Sequence, residues 1–470
     1  MPERIGHEFH SPTEKAHHSR RLMTVLPADH PARIVLAEEV HARPTELLDT
    51  PSRATYVAIV VDQEHRAAER AHLAQLCDLS GVAPPAPDAI HFRADLGALR
   101  LKWERHGEFS GYTFAAPGRS PIPFSEPPAS MLPAQWLAGL PGTTIFAAHA
   151  KLIPTGDETP DAEFLASHFD GNVVIGAEIG DGAGLAFTDF RIHRDGFSRF
   201  LLLDRSFTPR QAGRMLQRVF EIESYRMMAL LALPLAREQS QRLAARERSL
   251  ATLTSDVARR GADDDSLMQQ LSALAAEVEN SLAVSQFRFG ACRAYHDLVI
   301  TRIAELRERK LPGIQTIEEF MARRFTPAAA TCASTANRLH ALSERVAQAS
   351  ALLSTRVDIV VERQNQMLLA SMNRRATAQL KLQQTVEGLS VAAIVYYVVG
   401  LVGYLSKGLK AAGLHLDIDR TVGLAIPLVT VGVIWAVRRA HRRIFSSPDV
   451  QTAEHSTLGS GALDGHAKIR

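Results

Sequence analysis

The sequence predicts an α+β domain, then long antiparallel helices that form a coiled-coil-like stalk, and finally a C-terminal hairpin of two transmembrane helices. Short apolar runs typical of strands occur throughout residues 20–205, and apolar residues at helical spacing dominate 206–385. Two uncharged apolar segments lie within 386–440. The other segments are predicted to be a disordered N-terminal tail (1–19) and a C-terminal tail (441–470).

The composition excludes several classes of protein. Lys and Arg total 53 and Asp and Glu total 51, a balance that argues against a nucleic-acid-binding protein, because such proteins usually have a strongly basic face. Hydrophobic residues make up 46% of the chain, which excludes a disordered protein. Cys77, Cys292 and Cys332 are too scattered for a disulfide framework or a cysteine zinc site, so we predict no metal and no cofactor.

The first 30 residues lack the apolar run of ~7–15 residues that a secretory signal needs, because their longest apolar run is short and ends at Pro27. We therefore expect the N-terminal region to stay in the cytoplasm. His7, His10, His17 and His18 could bind a metal, but the polar composition of this segment favours a disordered tail.

The elements of the α+β domain follow from local patterns. Residues 55–61 (TYVAIVV) predict a buried strand, and 63–79 predict a helix that ends before Pro84. Residues 98–114 alternate around His106-Gly107 and predict a hairpin. Further strands are predicted at 143–153, 172–179, 184–193 and 197–204, with a helix at 159–169.

Residues 179–184 (IGDGAG) are glycine-rich, but no Lys-Ser/Thr follows them and the next element is a strand. This pattern excludes a phosphate loop. Asp181-Gly182 instead predicts a tight hairpin turn.

Three long helices are predicted in the stalk. The first begins at a capping box, Thr208 to Gln211, with proline at its first position, and Pro234 should kink it. The second begins at Asp263-Asp264-Asp265 after a turn at Gly261, and ends at Leu311-Pro312-Gly313. The third begins near Thr335 and has no proline before the first membrane segment.

Residues 388–405 and 421–437 have no charged side chain, and each is close to the ~17–25 residues that span a bilayer. A short linker joins them, so we predict a transmembrane hairpin. The alternative is a buried hairpin in a soluble protein, and the basic residues on either side of the spans favour the membrane.

Basic residues near the spans predict the orientation. Seven lie outside the hairpin and three lie in its linker, which places both termini in the cytoplasm of a bacterium with the hairpin in its inner membrane. The seven are Arg374, Arg375, Lys381, Arg438, Arg439, Arg442 and Arg443, and the three are Lys407, Lys410 and Arg420. We expect the last four of the seven to contact anionic lipid headgroups.

The helix becomes polar just before the first span, between Gln364 and Thr385. Two interpretations remain: a solvated helix face, or an oligomeric ring of helices that leads into a pore. In the second case Gln383, Ser390, Ile394 and Tyr397 would line the pore or lie close to the membrane.

No catalytic motif is found, whether GxSxG, HExxH or a phosphate loop, so we predict that the chain is not an enzyme. Two polar groups are candidates: residues 103–106 with Glu108, and a set on one helix. That set consists of Glu221, Glu223, Tyr225 and Arg226. Salt bridges explain both groups equally well.

Several long strings resemble a bacterial family of predicted membrane-anchored proteins of unknown function. They are AEEVHARP (37–44), KWERHGEF (102–109), residues 213–237, RFGACRAYHDLV (288–299) and most of 354–397. The resemblance covers roughly residues 20–445. It implies membrane anchoring and no known activity.

The architecture also resembles CorA-type divalent-cation channels, which are pentamers whose first span lines the pore. That family has a Gly-Met-Asn tripeptide after a tyrosine, whereas here Tyr404 is followed by Leu405 and Ser406. Lys407 and Lys410 would repel cations at a pore mouth. The resemblance therefore does not imply magnesium selectivity.

The sequence thus favours an integral inner-membrane protein with a large cytoplasmic region, acting as a homo-oligomeric anchor or scaffold. The alternative is a CorA-like ion channel or transporter without the tripeptide. A third hypothesis is that the N-terminal domain binds a small ligand. The expected partners are membrane lipids, further copies of the chain, and an unidentified cytoplasmic protein or ion.

Overall fold

A computed structural model describes residues 27–39, 45–259, 263–411 and 417–444. The chain divides into two compact units between Ala351 and Leu352. Several predictions lie outside the described residues: the tail 1–19 with its four histidines, the end of the string 37–44, the turn at Gly261, part of the hairpin linker, and residues 445–470.

Among its described residues, the first unit contains eight strands and most of the helices. The strands are β1 (Ser52–Val60), β2 (His91–Asp95), β3 (Arg100–Arg105), β4 (Phe109–Pro117), β5 (Thr143–Pro154), β6 (Ile175–Ile179), β7 (Gly184–Thr188) and β8 (Ser198–Asp204). The helices are α1 (Arg33–Glu39), α2 (Arg66–Ser80), α3 (Ala134–Ala138), α4 (Ala162–His168), α5 (Pro209–Leu230), α6 (Ala232–Ala258), α7 (Asp264–Leu306) and α8 (Ile317–Arg324). Helix α9 (Thr326–Ala411) continues into the second unit, which also contains α10 (Ile418–Ile444).

The described strands form one sheet in the order β2-β3-β4-β1-β5-β8-β7-β6. Neighbouring strands are antiparallel except β5 and β8, which run parallel. The predicted hairpin at 98–114 is confirmed by β3 and β4. Strand β7 ends five residues before the predicted position, since the backbone turns at Phe190, where φ is 52°.

Both faces of the sheet are apolar and each is covered by helices. On β8, Phe200 and Leu202 pack with α5, whereas Leu201 and Leu203 pack with α4 on the opposite face. We call the face that packs with α5 the α5 face. We call the opposite face the α2 face, because α2 covers the half of it that α4 does not cover. The alternation follows from the two-residue period of a strand.

The helix termini largely confirm the sequence predictions. Thr208 and Gln211 form the expected capping box at the start of α5. The predicted kink lies between α5 and α6, because Pro234 has no N–H to donate to the carbonyl of Leu230, where α5 ends. Asp263 caps α7 as predicted, but α7 ends five residues early because Arg307 adopts a left-handed conformation, with φ at 55°.

The long helices of the first unit pack through apolar side chains at helical spacing. Leu243 and Leu250 of α6, Leu271 of α7, and Leu339 and Leu342 of α9 are all buried. Ion pairs join the same helices: Arg338 binds Glu247 at 2.8 Å, and Arg246 binds Glu277 at 3.3 Å. The predicted fold class is confirmed: an α+β domain, long helices, and C-terminal helices apolar enough to span a membrane.

Two helical glycines allow a test of how tightly α5 lies against the chain before β1. A Cβ added at Gly213 of α5 would lie 1.7 Å from the carbonyl oxygen of Glu46, whereas one at Gly290 of α7 would meet nothing within 4 Å. We expect Gly213→Ala to lower the free energy of unfolding by about 3 kcal/mol. Gly290→Ala should raise it by about 0.5–1 kcal/mol through helix propensity. Denaturation of the purified chain in detergent measures both, and equal effects would contradict this packing.

Candidate functional site

The predicted membrane segments lie on α9 and α10. Among the described residues, these two helices are long and apolar enough to cross a membrane. Their most apolar 18-residue windows have mean hydropathies of 1.9 and 1.8, and neither window is buried within the protein. Large side chains such as Tyr396, Leu401, Leu428 and Trp435 are each more than 60% exposed.

Within the second unit, α9 and α10 pack together through small and β-branched residues. Partly buried positions recur every three or four residues, at Val395 and Val399 on α9 and at Val422 and Val429 on α10. A Cβ at Gly403 would lie 3.6 Å from Cγ2 of Val422, an ordinary contact distance, so the two helices lie close together at this position.

The predicted pore-lining residues share a different face of α9. Gln383, Ser390, Ile394 and Tyr397 are exposed, and the face formed by Val395 and its neighbours is the one that packs against α10. The Ser390 hydroxyl donates to the backbone carbonyl of Val386 at 2.9 Å. The role of this face as a pore lining stays a prediction.

Each end of the hairpin has an aromatic ring beside a basic side chain. Lys407 Nζ lies 5.8 Å from the centre of the Tyr404 ring, and Arg439 Cζ lies 5.2 Å from that of Trp435. Such amphipathic pairs are typical of the interface between hydrocarbon and headgroups. Arg438 is exposed, and the side chains of Arg442 and Arg443 lie outside the described part of the chain.

A polar network joins the sheet to α5 and α7, and it contains part of the first candidate polar group. Lys102 Nζ lies 2.8 Å from a carboxylate oxygen of Glu104 and donates to Gln217 at 3.1 Å. Gln217 donates to Glu221 at 2.6 Å, and Arg302 of α7 donates to the other oxygen of Glu221 at 2.5 Å.

The other predicted polar residues lie in separate pairs. Arg226 makes a bidentate pair with Glu223, with both distances at 2.7 Å. Trp103 points to the α2 face, where its Nε1 donates to Glu69 at 3.0 Å. Glu108 accepts two hydrogen bonds from Arg288.

These carboxylates are engaged by cations or amides, so their geometry supports ion pairing rather than acid–base chemistry. Burial, reinforced by the charge of Glu221, raises the pKa of Tyr225 and keeps its phenol neutral. No group of three or more His, Cys, Asp or Glu side chains that could hold a metal occurs among the described residues.

A cavity of about 630 Å³ lies beside this network, between α5, α7 and the β6–β7 turn. Arg214, Arg218 and Arg307 line it together with Asp181 and Glu305. Both acids are paired, Glu305 with Arg218 at 2.8 Å and Asp181 with Arg307. This cluster was not predicted from the sequence, although Arg214 and Arg218 lie four residues apart on α5.

The family described as "Protein of unknown function (DUF3422)" has a sequence model that matches residues 28–444, nearly the whole chain. No curated protein matches the chain.

The network predicts a measurable contribution of Glu221 to stability. The Glu221 side chain is 13% exposed, and Glu221→Gln would leave Arg302 without its charged partner on α5. We expect the free energy of unfolding to fall by about 1–3 kcal/mol. In the matched control, Glu238→Gln breaks a surface pair within α6, where both side chains are more than half exposed, and should cost about 0.5 kcal/mol or less. Equal losses in the two variants would show that the network does not join α5 to α7.

Proposed function

The chain belongs to the DUF3422 family, and we propose that it is an integral inner-membrane protein that acts as a homo-oligomeric anchor or scaffold for the large region before its spans. Its proposed partners are membrane lipids and further copies of itself. The proposal includes a cytoplasmic location for both termini, which is supported by the distribution of basic residues around the spans.

The exposed apolar surface of α9 and α10 is the observation that supports membrane insertion. Soluble monomers rarely expose contiguous apolar patches larger than a few hundred Å². Here Leu389, Leu401 and Leu405 on α9, with Leu424 and Leu428 on α10, are each at least 64% exposed. Lipid would cover these side chains, and the intrahelical hydrogen bonds satisfy the backbone within the hydrocarbon.

A second exposed surface, outside the spans, supports self-association. In α9 between Ile359 and Lys381, the large apolar side chains are exposed. Met367, Leu368 and Met372 are 58–64% exposed, although this segment lies outside the predicted bilayer. Copies inserted in one membrane share an orientation, so the same helix of a neighbouring copy can cover these residues.

Membrane insertion is tested by charges placed within the spans. An arginine near the centre of a span costs about 2.5–3.5 kcal/mol, so Leu401→Arg combined with Leu428→Arg should move the chain from the pellet to the supernatant after alkaline extraction of membranes. The matched control, Leu352→Arg with Leu368→Arg, changes two equally exposed leucines outside the spans and should leave the chain in the pellet. Extraction of the unmodified chain by alkali would refute integral insertion.

Self-association is tested by light scattering of the chain in detergent, with the mass corrected for bound detergent. We expect a multiple of the 51.5 kDa chain. Leu368→Arg with Met372→Arg should shift the mass towards the monomer without loss of membrane insertion, because these side chains lie outside the spans. A strictly monomeric unmodified chain would contradict the oligomeric part of the proposal and leave insertion unaffected.

A further inference from the structure

The register of the sheet brings cations together on the α2 face. Arg53 of β1 lies directly opposite Lys151 of β5 in the antiparallel ladder. On the other side of β5, His149 is paired in register with Arg199 of β8. Like charges at directly opposed positions destabilise a sheet, so this arrangement calls for a compensating negative charge.

Among these basic residues, Lys151 is the one whose positive charge has no acidic partner within the described residues. The residue is only 8% exposed, and its ammonium donates to no oxygen of the described residues. Burial, followed by the charge of Arg119, lowers the pKa of Lys151. Water reaches only a small part of this side chain, so an anionic partner would stabilise its charge.

The carboxylates nearby are used by other cations. Glu126 lies 3.4 Å from Arg53, and Asp170 lies 3.0 Å from Arg199. The negative charge of Asp195 partly opposes the lowering of the His149 pKa by burial. The Asp195 carboxylate also accepts a hydrogen bond from the backbone N–H of Phe197 in the same loop. Within the described chain Glu126 and Asp170 offset the arginines, and Lys151 keeps its positive charge unpaired.

Further hydrogen-bond donors near Lys151 are also unused. The Nε atoms of Arg53 and Arg199 are buried and have no partner in the described residues. The pKa of His149 is lowered to about 4 by burial, so its ring is neutral at pH 7. The cluster therefore offers donors and positive charge, which an acceptor-rich, negatively charged group would satisfy.

A small recess opens at this cluster. It has a volume of about 10 Å³ and is lined by Arg53, Ser120, Phe124, Glu126, His149 and Lys151, among others. The Glu126 carboxylate in this lining is paired with Arg53. That volume admits one group of the size of a water molecule. The edge of a single carboxylate or phosphate group fits it, with the rest of the molecule outside, whereas a whole nucleotide does not.

We propose that this recess binds a small oxyanion, a carboxylate or phosphate group, with Lys151 as its principal counter-charge. Ser120 and His149 offer further hydrogen-bonding groups at the same recess. Phe124 encloses the site, since its ring lies 5.5 Å from Arg199 Cζ and 6.1 Å from the His168 ring.

Calorimetric titration of the full chain in detergent tests the proposal, with inorganic phosphate and acetate as separate probes in chloride buffer. We expect about one site per chain for at least one probe. Lys151→Met keeps the length of the side chain and removes its charge, so binding should weaken at least tenfold. Lys310→Met removes an exposed lysine that pairs with Glu319, and should leave binding unchanged.

Thermal unfolding without added anion shows whether Lys151→Met folds. Its Tm should equal or exceed that of the unmodified chain, because an uncompensated buried charge has been removed. Saturable binding that is lost in Lys151→Met alone supports the proposal, and the stronger probe identifies the anion. No saturable binding of either probe, or equal affinity in Lys151→Met, overturns it. Loss of binding in Arg214→Gln instead would place the anion in the arginine-lined cavity and also overturn it.

Discussion

The need to cover two apolar faces of one sheet determines where most elements of the first unit lie. Phe200 and Leu202 face α5, and Leu201 and Leu203 face α4, so a layer on one side alone would leave half of β8 in water. Helix α5 approaches so closely that only glycine fits at position 213. Helix α7 then packs on α5, and the first turns of α9 extend the same core.

The charged side chains are paired differently on the two faces of the sheet. The α5 face has two ion pairs across three elements, Lys102 with Glu104 and Arg302 with Glu221, so each ion has a partner within the chain. On the α2 face, Lys151 has none among the residues that the structure describes. A fully paired network favours a structural role, whereas the unpaired Lys151 is the basis of the proposed anion site.

Local signals in the sequence predicted the local structure well. The capping box at Thr208, the cap at Asp263 and the strand around Val57 were all found where the pattern placed them, because each depends on a few consecutive residues. Strand β2 was missed, since it is half-exposed and paired with only one neighbour. The early end of α7 was missed because the left-handed turn at Arg307 has no glycine to mark it.

By itself the sequence determined the fold class, the starts of α5 and α7 and the two apolar segments, since hydrophobic periodicity and capping are properties of neighbouring residues. The third long helix was predicted to begin near Thr335, but α9 begins at Thr326, and α8 was not predicted. The strand order and the pairing of Arg53 with Lys151 were decided only by the tertiary structure. Those residues are far apart in the chain, and only the register of the folded sheet brings their charges together.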